Sequence, residues 1–446
     1  MTTELPDGPR LPAAVQTAGW VFRPTTFLEG ARRRYGSRFT VRLVGQGPIV
    51  MISDPAEVRE VLTAAPDVLH PGEGAKVIEP VVGPNSVIVL DEDRHLEQRK
   101  IMLPPFHGQA LRSLTGLIED AAERELASWP TGEPVALHPR LQRVALDIIL
   151  RVVFGLDAGR QLDDLRDALT VVLDFGQSPT SIMLTQPGFA WTPQARRQAQ
   201  RLEHADRLVL ALVEERRRSG GSGDDVLSLL LAARHDDGTP LNDRELRDEL
   251  VTALVAGHET TASQLAWAFS ILSGMPGFAE RLAGELDAGT GEPLLKATIE
   301  EIMRVRPVLP NAEPRLVHKP CRIGPCEYPV GAVLYPGSYL LHHDPEIYPD
   351  PYAFRPERFL DRPPQTYTWL PFGAGRRRCI GASFAMVEMQ AVLRVALTKF
   401  SVHPVAAAPA AAVRRGITIT PVDGATVVLS RRARRLSPDP AIAAVA

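Results

Sequence analysis

The stretch from Asp243 to Ser273 constrains this fold more than any other part of the chain. Apolar residues recur in it at three- and four-residue spacing, which marks a helix. They occupy most of its sides, so the helix should run through the middle of the protein instead of lying on its surface. Leu146–Phe154 and Ala205–Arg217 show the same spacing. Strand-like alternation is confined to short pieces: Phe39–Leu43 with Ile49–Ile52, Ala332–Leu334, and Ile417–Leu429, the last interrupted by a turn at Asp423–Gly424. With no regular βαβ alternation, the fold class is mainly α with small β-sheets, in a single domain. The expected limits are an N-terminal arm over 1–20, the domain over 21–431, and a frayed C-terminal tail over 432–446. Arg216–Asp225 and Val405–Val413 read as loops.

Composition excludes more than it assigns. A net charge of -3 gives no reason to expect a nucleic-acid partner. No run of about 18 apolar residues is present, so no membrane span is expected. The first thirty residues lack the pattern of a secretory signal, and a cytoplasmic location follows as the expectation. The three cysteines, Cys321, Cys326 and Cys379, are too few and too odd in number for a disulfide framework. Cys321 and Cys326 read as ordinary thiols.

Cys379 is different because of its surroundings, Pro371-Phe372-Gly373-Ala374-Gly375-Arg376-Arg377-Arg378-Cys379-Ile380-Gly381, which precede a helical stretch, Ala382–Ala396. A cysteine just before a helix feels the helix N-terminus, which stabilises a thiolate. Glycines at 373, 375 and 381 let the backbone turn tightly and aim N–H groups at the sulfur. Phe372 can shield the sulfur, and Arg377 can neutralise a buried carboxylate such as a porphyrin propionate. A thiolate on haem iron favours O–O cleavage, the chemistry this constellation suits. Taken alone, the cysteine would read as structural, at a glycine-rich turn beside solvated arginines.

The pattern F-x-x-G-x-R-x-C-x-G fixes Phe372, Gly375, Arg377, Cys379 and Gly381 together, and in this the chain resembles the cytochrome P450 family. The resemblance implies the single-domain P450 fold, haem b as cofactor, and Cys379 as the ligand to its iron. It extends over nearly the whole chain, from Phe22 to about Arg431, in the family's order of motifs. The connection Glu285–Glu292 is short, which fits the soluble members.

On the central helix, Ala256 and Gly257 are small enough to let it cross close to a flat porphyrin. The Thr260 hydroxyl follows the Ala256 carbonyl by four residues and can bond to it, opening the helix ladder to water. Glu259 and Thr260 resemble the family's acid–alcohol pair, which delivers protons for oxygen activation. A zinc hydrolase is excluded, because H-E-x-x-H needs histidine where Ala262 stands. Glu301 and Arg304, read alone, are an ordinary helical ion pair. The resemblance makes them, with Arg358 of Pro356-Glu357-Arg358-Phe359, a structural network behind the haem. His95 and Arg99 lie one helical turn apart and resemble the family's grip on a propionate, although alone they would pass for a surface pair. Arg315 resembles its other propionate arginine.

The function implied is a monooxygenase that inserts one atom of O2 into a hydrophobic small molecule of terpenoid, fatty acyl or polyketide type. The pocket walls expected for it are Ile78–Leu90, Leu173–Trp191 with Phe175, Met183 and Phe189, and Val308–Ala312, with Leu254 and Val255 on the central helix. No flavin or iron–sulfur segment is present, so electrons should come from an external ferredoxin docking on the cysteine side at Arg376–Arg378. The alternatives are a peroxide-driven or isomerising haem-thiolate enzyme, and a haem sensor or carrier. The first usually lacks the acid–alcohol pair, and the second has no need of it.

Overall fold

A computed structural model describes residues 5–156, 159–176, 191–220, 223–407 and 410–432. Its axis is the helix Asp243–Ser273, with the bounds its periodicity gives. The helix opens on a capping box: Asn242 Oδ1 accepts from the backbone N–H groups of Arg244 and Glu245, and Glu245 Oε2 accepts from the Asn242 N–H. Leu250, Leu254, Leu265, Phe269 and Leu272 on it are fully buried in the main core. The helix His138–Phe154 packs along it and ends at Gly155, whose φ of 60° is left-handed. Where they touch, a Cβ on Gly257 would meet Ile149 Cδ1 at 3.0 Å. Gly257 therefore serves the contact between these two helices, and Ala256 beside it is exposed.

The strands of the described residues are β1 (Arg38–Arg42), β2 (Pro48–Ile52), β3 (Leu69–His70), β4 (Pro134–Ala136), β5 (Arg315–Val317) and β6 (Cys321–Ile323). They continue with β7 (Cys326–Tyr328), β8 (Val333–Pro336), β9 (Phe400–Pro404), β10 (Ala412–Arg415), β11 (Thr418–Pro421) and β12 (Thr426–Arg431). The largest sheet has the order β1-β2-β8-β5-β3. Its β1–β2 pair is antiparallel with Phe39 opposite Met51, and β2 runs parallel to β8 with Ile49 opposite Val333. β4, β12 and β9 form a second sheet, and β6–β7 and β10–β11 are hairpins. The alternation over Ile417–Leu429 thus divides between two sheets. Gly424 and Ala425, at φ of 66° and 56°, turn the chain out of one and into the other.

The boundary expected at residue 20 falls inside a helix, Ala13–Phe22. Gln16 is completely buried and bonds to Pro9 O, Leu11 O and Arg42 N, so this segment is tied to β1. Arg432, placed in the tail by the sequence, donates to Leu397 O at 2.7 Å. Residues 433–446 lie outside the described residues, as does most of the expected pocket wall Leu173–Trp191, including Met183 and Phe189. Among the described residues no helix is long and apolar enough to cross a membrane.

Candidate active site around Cys379

The cysteine loop is shaped by two left-handed glycines, Gly373 at φ 62° and Gly375 at φ 69°. At Gly375 a side chain is excluded twice over, since a Cβ would lie 2.5 Å from Leu62 O. Gly381 has an ordinary φ of -82°, so no turn requires glycine there, and its part is the N–H it gives to the Cys379 sulfur. The loop closes through the Cys379 N–H on Phe372 O at 2.9 Å. Cys379 is set deep among protein atoms, yet its surface is accessible, as holds for a side chain on the floor of a cleft. Burial pushes the thiol up, against the opposing effects of the Gly381 N–H, Arg378 and Arg99. The Gly381 N–H at the start of the following helix works in favour of the thiolate, and a cation on the sulfur would add to it.

Beside the cysteine loop the structure gathers His95, Arg99, Arg315 and Arg377. His95, on the helix Glu92–Met102, is pushed down to about 3 by burial and by the charges of Arg377, Arg99 and Arg315. His95, Arg315 and Arg377 line one recess, and Arg99 Nη2 donates to Arg378 O at 2.6 Å. Arg377 does not point outward with its neighbours. Its guanidinium bonds Asp91 Oδ1 at 2.7 Å, Val87 O at 3.0 Å and Leu90 O, which leaves Arg376 and Arg378 as the exposed members of the run. Arg315 is buried and paired with Glu313 at 3.1 Å. Arg315, Arg376 and Arg377 against Asp91 and Glu92 leave a positive surplus along the recess, beside a neutral imidazole.

The segment that Arg377 grips is itself stitched to the central helix. Asn85 N and Nδ2 donate to Asp248 Oδ2 at 3.0 and 2.9 Å, the Val87 N–H to Glu249 Oε1 at 2.8 Å, and Thr252 Oγ1 meets Ser86 Oγ at 2.7 Å. Further along, Thr260 Oγ1 donates to Ala256 O at 2.5 Å, the bond expected from the sequence. Leu254, expected to line the pocket, is fully buried in the core instead, because it lies on the opposite side of the helix from exposed Ala256. Glu259 is held by His138, Gln142 and Ser263.

Behind the cysteine loop, Arg304 forks onto Glu301 with bonds of 2.7 and 2.8 Å, both side chains having no solvent exposure. Arg358 Nε reaches Glu301 Oε1 at 3.3 Å, completing the triad. Arg304 also donates to His342 O and Pro351 O at 2.7 Å each, and to Ala353 O at 3.2 Å. His342, which no motif singles out, relays this network to the site. Its Nε2 accepts from the Leu370 N–H at 2.8 Å, one residue before the cysteine loop, and Nδ1 meets Arg304 O at 3.2 Å. Burial keeps this imidazole neutral, well below the ordinary histidine range.

The family model described as Cytochrome P450 matches residues 6–422. The chain belongs to the cytochrome P450 family. It is 35% identical over 430 residues to "Putative cytochrome P450 138" of Mycobacterium bovis, covering 96% of this chain and 97% of that one. In fold it matches the retinoic acid-bound cyanobacterial CYP120A1, with a TM-score of 0.83 and 24% identity over 96% of this chain and all of the other. A cytochrome P450DA haem domain matches with a TM-score of 0.81, at 23% identity over 96% of this chain and 98% of that one. P450 proteins bind haem, iron protoporphyrin IX, and the donor set here fits it. A sulfur on the cleft floor suits the iron, and the positively charged recess with His95 suits the propionates. The arrangement is that of a haem-thiolate monooxygenase in general.

Proposed function

We propose that this P450 inserts one oxygen atom into a hydrophobic small molecule of terpenoid, fatty acyl or polyketide type, using electrons from a separate ferredoxin and reductase. Bound haem supplies the iron at which dioxygen is reduced. The chain supplies the rest: Cys379 as the iron's ligand, His95, Arg99, Arg315 and Arg377 around the propionates, and Glu259 with Thr260 for protons. The observation that carries this reading is the Thr260 Oγ1–Ala256 O bond. A carbonyl can accept twice, so the hydroxyl competes with the helix's own N–H for Ala256 O and is held where the ladder can be weakened. That arrangement suits a chain using O2 and is superfluous for one driven by peroxide. Exposed Arg376 and Arg378 support docking of an acidic partner on the cysteine side, and Val255, Ala256 and Ile88 support an apolar substrate.

Thr260→Ala tests the reading. The variant should keep its haem and the red-shifted carbon monoxide spectrum of thiolate ligation, while reducing equivalents go to peroxide instead of product. Unchanged coupling of electrons to product, or full turnover with peroxide alone, would count against it.

A further inference from the structure

Glu259 does not face the same way as Thr260. Its Oε1 lies 3.2 Å from His138 Nε2 and accepts from Ser263 Oγ at 2.8 Å, and its Oε2 accepts from Gln142 Nε2 at 2.8 Å. Two of these donors, His138 and Gln142, come from the helix His138–Phe154, so the carboxylate is turned toward that helix. His138 is completely buried at the first position of the helix, where its backbone N–H donates to Gly424 O at 2.9 Å. On the far side of its ring, Nδ1 meets Arg415 Nη1 of β10 at 3.4 Å. A guanidinium can only donate, so Nδ1 accepts and the ring hydrogen sits on Nε2, between Glu259 Oε1 at 3.2 Å and Ser263 Oγ at 3.3 Å, the hydroxyl that itself donates to Glu259.

We propose that His138, its tautomer set by Arg415, is the positioning residue that holds Glu259 as a carboxylate turned away from Thr260. This rests on the monooxygenase reading above and assigns the route of its protons. A carboxylate has no proton to give, so Glu259 takes each proton from water, and as it passes that proton to Thr260 Oγ1 the hydroxyl releases its own hydrogen, after which the carboxylate returns to its donors. The groups facing it are His138 and Gln142 from one helix, His258 and Ser263 from its own, and Arg415 behind His138. Burial works to raise the Glu259 carboxyl, but His138, then Ser263 and His258, outweigh it and hold the group below the ordinary carboxylate range. His258 is itself pushed down to about 4, chiefly by burial.

The test is a pH titration of the Glu259 carboxyl by infrared difference spectroscopy on the haem-loaded enzyme, with Glu259→Gln identifying the band. In the unaltered enzyme no protonated Glu259 band should appear at about pH 5, just above the ordinary carboxylate range. His138→Leu removes the donor and leaves the burial, so the titration should move upward and the band should appear there. His138→Gln keeps an N–H donor and should restore the original titration. Product formed per electron should fall in the leucine variant, with its acid limb displaced in the same direction. An unshifted band in His138→Leu, or identical behaviour of the leucine and glutamine variants, overturns the proposal. Should His138→Leu not fold, Arg415→Met frees Nδ1 and should weaken the hold on Glu259 in the same sense. An unshifted band there is equally fatal. The infrared result is independent of turnover, so a failure of the monooxygenase reading would show separately in the carbon monoxide spectrum and in Thr260→Ala.

Discussion

Replacing Arg304 with methionine removes the centre of the network behind the cysteine loop without leaving a hole of its full length. Glu301 loses a two-pronged partner at 2.7 and 2.8 Å but keeps the Arg355 N–H at 2.8 Å and Arg358 at 3.3 Å. The carbonyls of His342, Pro351 and Ala353 lose the guanidinium they share. Removing one partner of a buried ion pair costs about 3–5 kcal/mol, and the remaining donors to Glu301 place this case near the lower end of that range. At about 2.1 cal/mol/K per residue, 446 residues give an unfolding entropy of roughly 0.9 kcal/mol/K, so the melting temperature should fall by about 3–5 °C. Circular dichroism melting of the haem-loaded protein measures this. Arg304→Lys should recover little, because an ammonium cannot fork onto both carboxylate oxygens. A fall of under about 1 °C for Arg304→Met would refute the reasoning, since the network would then contribute no more than an exposed ion pair.

Two further outcomes follow from buried groups. Burial holds Glu388, bonded to Thr261 of the central helix, well above the ordinary carboxylate range, so the folded protein keeps a proton there that the unfolded chain releases. Its contribution is fully present below the unfolded value near 4.5 and is lost as pH rises toward the folded value. Glu388→Gln should therefore gain stability relative to the parent as pH rises from about 5 to 8, and a pH-independent difference in melting temperature would contradict this. Gly257→Ala pushes a methyl to 3.0 Å from Ile149 Cδ1, a flexible side-chain end. Ile149 can yield and helix propensity favours alanine by about 1 kcal/mol, so denaturant melts should show no loss of stability; a destabilisation of more than about 1 kcal/mol would show that the two helices cannot give at this contact.

The central helix was legible because its periodicity and cap are local, and the pairing of β1 with β2 because an alternating piece and a short apolar run flank a short turn. The parallel pairing of β2 with β8 depends on chain nearly 300 residues away and leaves no trace in either strand alone. β6 and β7 are too short to show a period. The motif order identified which residues gather near Cys379, but not where their polar atoms point. Arg377 turns inward because Asp91 waits for it across 286 positions of sequence. Gly257 faces Ile149 because a second helix lies there. His342 and His138 belong to no short pattern, and a helix-opening histidine such as His138 looks the same whether it meets solvent or an acid. The only signal for either would have been a buried imidazole needing two partners, which requires coordinates to see.

The grip of Arg377 on residues 87–91 has one more consequence. That segment is fastened at its other end to the first third of the longest helix, and it borders the recess on one side while the sulfur's loop borders it on the other. A molecule that nudges Val87 or Leu90 on arrival pulls on a guanidinium two residues from Cys379. The two walls of the recess are thus tied through one side chain, and a push on either is felt by the other.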